Sequence, residues 1–314
     1  MTNDKPKVSI IILTWNAYKL TSQQLIDVSK LDTNGMIAET IVVDNGSTDE
    51  TIEKLSKYKL PNMGYKFIET GKNLGFAGGN NVGMRDAIKR GADHLILMNN
   101  DLILSKDILT KMVSLAESDK SIGTIAPKMY FAKGYEFHKD KYKKSELGNV
   151  IWYAGGVIDR DNVYSFHRGV DEVDKGQYDK IEDTDFTNGA CVLITKEVIK
   201  KVGYMDEAFF LYWEDADYSE QIRRAGFRVV YTPETKLWHM VSVATGGSGS
   251  PSNDYFIVRN RLIFGLRYSP LRTKFALLRD SIRMLFIGRE WQKKGVLDFY
   301  LGRWKSGRWL KRKK

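Results

Sequence analysis

The chain has 314 residues, 42% hydrophobic and 12% aromatic, enough for one large core or two smaller ones and too apolar for a disordered protein. Its one cysteine, Cys191, excludes an internal disulfide, and no Cys/His cluster has zinc-site spacing, so a reducing compartment is expected. The net charge of +10 belongs to the tail: residues 255–314 carry 17 Lys/Arg against three acidic side chains, whereas residues 1–254 carry 32 basic and 36 acidic ones.

In chain order, Met1–Lys7 is short and polar, without the shape of a signal peptide. Val8–Leu13 is a β-branched strand run, broken at Thr14–Asn16 and followed by a helical stretch near Leu20–Leu31. Thr40–Val43 is a second buried strand, ending in the turn Asp44-Asn45-Gly46-Ser47 with a helix from Thr48. Tyr65–Glu69 is a third strand, Asn80–Arg90 a helix behind a glycine-rich turn, and His94–Met98 a fourth strand. This alternation predicts an α/β fold with a parallel, doubly wound sheet, whose functional residues lie past the carboxyl ends of strands. Thr14-Trp15-Asn16, Asp44-Asn45 and Asn99-Asn100-Asp101 each follow a strand and are expected along one sheet edge.

Lys133–Asp185 is polar and weakly periodic, a variable segment with a hairpin around Val150–Ile158. Thr187–Thr195 reads as a strand, Lys196–Val202 as a short helix and Asp215–Ala225 as a longer one ended by Gly226. A strand begins at Arg228–Tyr231, and Thr245–Asn253 is a Gly/Ser-rich loop suited to a lid or linker. In the last sixty residues Leu271, Phe275, Leu278, Ile282 and Leu285 recur at helical steps, with Arg272, Lys274, Arg279 and Arg283 between them. No apolar run reaches the roughly 18–20 residues that span a bilayer, and Trp291, Trp304 and Trp309 among basic residues suit a headgroup region. The tail therefore has three readings: membrane-surface contact, nucleic-acid binding, or packing on the protein's own core or a second subunit.

Three elements can carry chemistry. Asp101, past a strand end, can hold Mg²⁺ or Mn²⁺ through oxygen, although a simple Asn/Asp turn is the better explanation of Asn99-Asn100-Asp101 taken alone. In the run Phe209-Phe210-Leu211-Tyr212-Trp213-Glu214-Asp215-Ala216-Asp217 the acids suit a helix N-terminus, and Glu214 and Asp215 beside aromatic rings also suit a general base. His239 follows the strand after that helix and can return to the same edge.

Read together, the motifs resemble the family 2 glycosyltransferases with the GT-A fold, in the branch that includes rhamnosyltransferases of surface-polysaccharide assembly. They are VSIIILTWNAYKL at 8–20, IVVDNGSTDET at 41–51, NLGFAGGNN at 73–81 and LILMNNDLIL at 95–104. VGYMDEAFFLYWEDADYSEQIRRAGF at 202–227, WHMVS at 238–242 and YFIVRNRLIF at 255–264 complete the series, which covers roughly 7–268 in order.

The resemblance implies a GT-A catalytic domain over 1–254, with a nucleotide-binding half to about 104 and an acceptor half beyond, followed by a basic amphipathic helical extension over 255–314. It implies that Thr14, Trp15 and Asn16 line the base and ribose pocket and that Asp44 bonds the nucleoside, with Asn45 and Ser47 beside it. Gly78 and Gly79 would give the donor clearance, and Asn73 and Asn80 polar contacts. Asp101 would hold the Mg²⁺ or Mn²⁺ that bridges the diphosphate, with Asn99 and Asn100 beside it and His239 completing the site. Asn99 stands where many relatives have an aspartate. Asp215 is the implied base and Glu214 its neighbour in the acceptor pocket; the sugar pocket is expected on Thr187–Ala190 and the variable segment.

The implied activity is inverting, metal-dependent transfer from a nucleotide-sugar donor, dTDP-rhamnose or a UDP-sugar, to a hydroxyl of a glycan or lipid-linked glycan. It would take place in the cytoplasm, peripherally at the inner face of the membrane and without nucleic acid. Two other readings compete: a nucleotidyltransferase, which wants a basic glycine-rich loop where Thr14-Trp15-Asn16 stands, and a catalytically weak sugar-nucleotide or membrane-binding module.

Overall fold

The computed structural model describes residues 5–241 and 249–310, so Ser242 and the 245–248 part of the expected Gly/Ser-rich loop lie outside it. The first half alternates β1 (Lys7–Thr14), α1 (Tyr18–Val28), β2 (Ile37–Asp44), α2 (Thr51–Leu55), β3 (Gly64–Glu69), α3 (Gly75–Lys89) and β4 (His94–Met98). The strands lie in the order β3-β2-β1-β4, all parallel. The apolar runs of β1, β2 and β4 are buried because helices cover both faces of such a sheet, whereas β3, at the edge, is half-buried. Thr14 pairs with Asp44, and Asp44 with Glu69, so the carboxyl ends of β1, β2 and β3 finish level.

The glycine-rich segment expected as a turn before residue 80 is instead the first two turns of α3. Glycine is required there because the helix lies almost on the sheet. A Cβ at Gly83 would stand 2.5 Å from Ile11 Cγ2, and one at Gly79 2.4 Å from Leu13 Cδ1. The loss in intrinsic helix propensity is offset by this close packing.

The second half holds β5 (Leu102–Leu104), α4 (Ile108–Ser118), β6 (Ile122–Phe131), β7 (Ile151–Tyr153), β8 (Gly156–Asp159), β9 (Tyr164–His167), β10 (Glu182–Asp183) and β11 (Cys191–Thr195). Then come α5 (Lys196–Val202), α6 (Glu214–Arg224), β12 (Arg228–His239), α7 (Pro251–Tyr268), α8 (Leu271–Ile287) and α9 (Glu290–Tyr300). Past β4 the sheet continues β11-β6-β12-β10 and becomes mixed, with β11 antiparallel to both β4 and β6. Between β6 and β11 the described residues hold no α-helix, and a parallel return needs a crossover of that kind. The variable segment forms instead the β8–β9 hairpin and the short β7, which lies along β6.

The C-terminal helices differ in character. Helix α7 is buried nearly all round, through Tyr255, Phe256, Arg259, Asn260, Leu262, Ile263 and Phe264. Its Gly265 lies so close to α8 that a Cβ would stand 2.2 Å from Leu277 Cδ1. Helix α8 buries only Thr273, Leu277 and Ser281, and turns Leu271, Phe275, Ile282 and Phe286 outward, the last 76% exposed. Of the apolar stripe read from the sequence, Leu271, Phe275 and Ile282 are exposed, Leu278 is half-buried and Leu285 packs against the protein's own core. No helix among the described residues is long and apolar enough to cross a membrane.

Gly83→Ala tests the helix–sheet contact without touching a candidate site residue. The added methyl should lower stability by about 1–3 kcal/mol, read as a lower thermal unfolding midpoint; an unchanged midpoint would show that α3 can move away freely.

Candidate active site

The level ends of β1 and β2 make a polar shelf. Asp44 is fully buried; its Oδ2 accepts from the Gly46 and Ser47 N–H groups at 3.0 and 2.9 Å, while Oδ1 is buried with no partner. Asn16 sits at φ +50, donates its N–H to Ser47 Oγ (2.8 Å) and accepts from Thr48 N–H (2.7 Å), locking the two turns together. Thr14 is buried against Thr21, which also accepts from Asn100 Nδ2 (2.9 Å). Trp15 is exposed, at 39%, beside the exposed Asn16. A rim with an exposed indole and an orphaned buried carboxylate oxygen suits a nucleoside, with donors for the oxygen and a face for the base.

Asn45 ties this shelf to the 73–75 segment: its Oδ1 accepts from Leu74 N–H (2.9 Å) and its Nδ2 donates to Gly75 O (3.1 Å). Asn73 Oδ1 accepts from Gly75 N–H at 2.9 Å. The other residues expected here have protein partners. Asn80 is 2% exposed and donates to Phe76 O within its own helix. A Cβ at Gly78 would meet Leu74 Cβ at 2.9 Å, so the clearance at Gly78 and Gly79 serves packing against Leu74 and Leu13.

The second part is built by β12. It pairs antiparallel with β5, Trp238 opposite Ile103 and His239 opposite Leu102, which returns His239 to the residue after Asp101. Met240 N–H donates to Asp101 O at 3.0 Å. His239 Nε2 lies 3.2 Å from Asp101 Oδ1, yet neither atom has a hydrogen bond, because the approach is off-axis. Both residues are buried. Two orphaned buried donors of this kind, one carboxylate oxygen and one imidazole nitrogen, fit a divalent cation of the Mg²⁺/Mn²⁺ class. Among the described residues no third His, Cys, Asp or Glu joins them. Asn99, half-buried, is fixed beside them through its N–H to Ala190 O (2.8 Å).

The third part lies across the 188–190 turn. Asp215, in the first turn of α6, accepts from Ala216 N–H (2.8 Å) and at longer range from Gly189 N–H (3.4 Å). Burial raises its carboxyl above the usual range, against the pull of those N–H groups. Glu214 is pushed well above it, first by burial and then by the charge of Asp215, and its Oε2 has no partner. Phe210, Tyr212 and Trp213, just before them, have φ of +62, +66 and +71. Such backbone costs roughly 1–3 kcal/mol per residue and collects at functional sites.

Three residues not singled out in the sequence complete the space between metal donors and acids. His167 Nδ1 is 3.0 Å from Trp152 O and must donate, so its Nε2 accepts from Asn188 Nδ2 at 3.1 Å. Burial holds this imidazole neutral, pulled down to about 4. Trp152 stands edge-on between the His167 and His239 rings, with centroids at 4.7 and 4.3 Å. Asn188 falls within the expected 187–190 stretch, but His167 and Trp152 sit in the variable segment, where no periodicity marks them.

The glycosyltransferase-like family 2 model matches residues 6–263 of this chain. A low-salt glycan biosynthesis hexosyltransferase of Haloferax volcanii is 23% identical over 228 residues, 72% of this chain and 67% of that protein. The N-acetylglucosaminyl-diphospho-decaprenol L-rhamnosyltransferase of Mycobacterium tuberculosis is 22% identical over 66% of this chain and 67% of its own length. Among solved structures, a mannosyltransferase from Pyrobaculum calidifontis in complex with GDP-Man and Mn²⁺ superposes with a TM-score of 0.55. Its identity is 14%, with 95% of this chain and 75% of that one covered.

A desolvated acid penalises the fold, and the sign of that penalty is testable. A carboxyl whose folded pKa is raised has no effect below its unfolded value, 4.5 for glutamate, and above it imposes a penalty that grows with pH and is complete once the folded group ionises. Glu214→Gln should therefore raise the unfolding midpoint at pH 7 to 8, and the gain should vanish near pH 4. An equal gain at both pH values would place its origin elsewhere.

Proposed function

The chain belongs to glycosyltransferase family 2, and from that premise we propose that it is an inverting, metal-dependent hexosyltransferase acting on a nucleotide-diphosphate sugar. The observation that carries the reading is the juxtaposition across the 188–190 turn. The orphaned Asp101–His239 pair stands on one side and the desolvated Glu214–Asp215 pair on the other.

In this reading Asp215 accepts the proton of the acceptor hydroxyl as its oxygen attacks the anomeric carbon. The bond from that carbon to the diphosphate oxygen breaks on the opposite face, so configuration inverts without an enzyme nucleophile. Asp215 accepts from the Ala216 and Gly189 N–H groups, which favour its charged form, whereas Glu214 Oε2 has no hydrogen-bond partner to do the same. Asp101 and His239 would hold Mg²⁺ or Mn²⁺, which when bound offsets charge growing on the departing diphosphate. The nucleoside lies on the Asp44 shelf, among Thr14, Trp15, Asn16, Asn45 and Ser47. The hexose lies between, with Trp152 as an apolar wall and Asn188, its amide aimed by neutral His167, as a hydroxyl contact.

The donor we favour is dTDP-rhamnose, with a UDP-sugar as the other candidate, and the acceptor is a glycan or lipid-linked glycan. This rests on the rhamnosyltransferase relative and on the motifs of that branch. A peripheral position on the cytoplasmic face is supported by α8, whose Leu271, Phe275, Ile282 and Phe286 are exposed among Arg272, Lys274, Arg279 and Arg283.

Nucleoside diphosphate release from a donor panel, with Mn²⁺ or Mg²⁺ and then with EDTA, tests the class. We expect release from one donor, abolished by EDTA. Asp215→Asn should lose roughly 100- to 10,000-fold in kcat, the range for a positioned base, with fold and donor affinity kept; near-normal turnover would reject the base assignment. On vesicles containing anionic lipid, the double variant Phe275→Asp, Phe286→Asp should stay at the bottom of a flotation gradient while the parent floats. Equal flotation would reject the α8 contact.

A further inference from the structure

We infer that Arg259 and Asn260 of α7 are positioning residues for the catalytic acids, making the buried helix of the basic C-terminal region part of the catalytic unit; the inference rests on the proposed role of Glu214 and Asp215. The segment that delivers those acids, Phe209–Trp213, has three left-handed non-glycine residues in four positions. No side chain caps the helix it opens. A backbone in that state persists only where its surroundings over-determine it.

Asn260 does so from a fully buried position. Its Nδ2 reaches the carbonyl oxygens of Phe209, Leu211 and Tyr212 at 2.7, 2.8 and 2.7 Å. Its Oδ1 accepts from Arg259 Nε at 3.0 Å, which fixes which way the amide faces, since the guanidinium only donates and the carbonyls only accept. Arg259, also fully buried, donates through Nη2 to the Ala208 and Phe209 carbonyls, both at 3.0 Å, and through Nη1 to Lys305 O at 2.6 Å. Among the described residues no carboxylate lies within ion-pair distance of it. A buried guanidinium so placed binds main-chain carbonyls in place of a counter-ion.

The two ends of the segment are held differently. Phe210 O accepts from Phe76 N–H at 2.6 Å and its ring stacks on Phe256, so the donor-side end stays pinned to α3 and α7 when Asn260 is lost. The carbonyls of Leu211 and Tyr212, next to the acids, are both within reach of Asn260 Nδ2. Its loss should therefore misplace the base more than the donor.

The test uses the full chain with saturating cation. Asn260→Ala should lower kcat about 100-fold, the scale expected for a misplacement near 1 Å, with donor KM changing less than about threefold. Asn260→Gln, which keeps an amide on a longer stem, should recover part of that loss. A folded Asn260→Ala protein with unchanged kcat, or with its whole loss in donor KM, overturns the inference. If Asn260→Ala does not fold, Asn260→Gln decides: kcat equal to the parent overturns the inference, and a reduced kcat at constant donor KM sustains it. Asp215→Asn measured alongside separates the two readings. Its inactivity with a fully active Asn260→Ala removes the positioning role and leaves the base assignment standing. Full activity of Asp215→Asn with an impaired Asn260→Ala removes the base assignment and leaves Glu214 as the group positioned.

Discussion

The site depends first on how β12 comes home. Its register against β6 shifts between Thr232 and Lys236, and from there it runs antiparallel to β5, a strand of three residues. Only that late pairing sets His239 opposite Leu102 and so beside Asp101, although the two are 138 positions apart in the chain. A register slip of one residue would turn His239 to the other face of the sheet and place Trp238 or Met240 at the position it leaves. The irregularity within β12 is thus part of the site's construction, since it absorbs the mismatch between the two halves of the strand.

What the strands bring together is not made comfortable. Asp44 Oδ1, Asp101 Oδ1, both His239 nitrogens and Glu214 Oε2 are buried without partners, and all belong to the proposed active site. Elsewhere some buried acids are fully bonded: Ser9 and Arg90 both bond Glu39, and Arg267 and Tyr268 both bond Asp217, although Asp86 Oδ2, His94 Nδ1 and Arg168 Nη2 are also buried without a hydrogen bond. What sets the proposed site apart is that its unbonded acid and imidazole atoms gather together, where their bonding capacity is open to a ligand. The Asp217 network shows the contrast at short range. Two residues beyond Asp215, burial also raises Asp217, but its oxygens have protein donors and it serves structure.

The sequence was most legible where one residue type has one physical use. The β-branched runs marked β1 and β2, a short apolar run marked β4, and the polar breaks after them marked the shelf. Gly226, at φ +87, ended α6 as expected. The α3 glycines were misplaced because local reasoning assigns Gly to turns, whereas here the helix lies too near Ile11 and Leu13 for any larger residue. The reversal of β11 was hidden for a similar reason: strand direction is decided by connections, and the connecting segment had no readable period. Trp152 and His167 lay in that segment. Arg259 and Asn260 stood inside a recognised motif, yet a charged and an amide residue on a helix read as solvent-facing until the helix proves to be buried nearly all round.

Asp101 and His239 offer one negative charge and two donor atoms, while Mg²⁺ and Mn²⁺ seek about six ligands and are held mainly by oxygen. A second aspartate at 99 would double the fixed charge; an asparagine there contributes at most a carbonyl dipole. On the proposed reading the protein alone is therefore a poor cation site, and most remaining ligands must come from the donor's diphosphate and from water. Cation and donor then assist one another's binding, because each supplies charge the other lacks. The same economy spares the empty enzyme a second buried carboxylate beside Asp101, where like charges would raise the penalty of a site already short of partners. Weak cation affinity without donor is thus the natural property of this edge, and it is compatible with catalysis because the ion is needed only when a diphosphate is leaving.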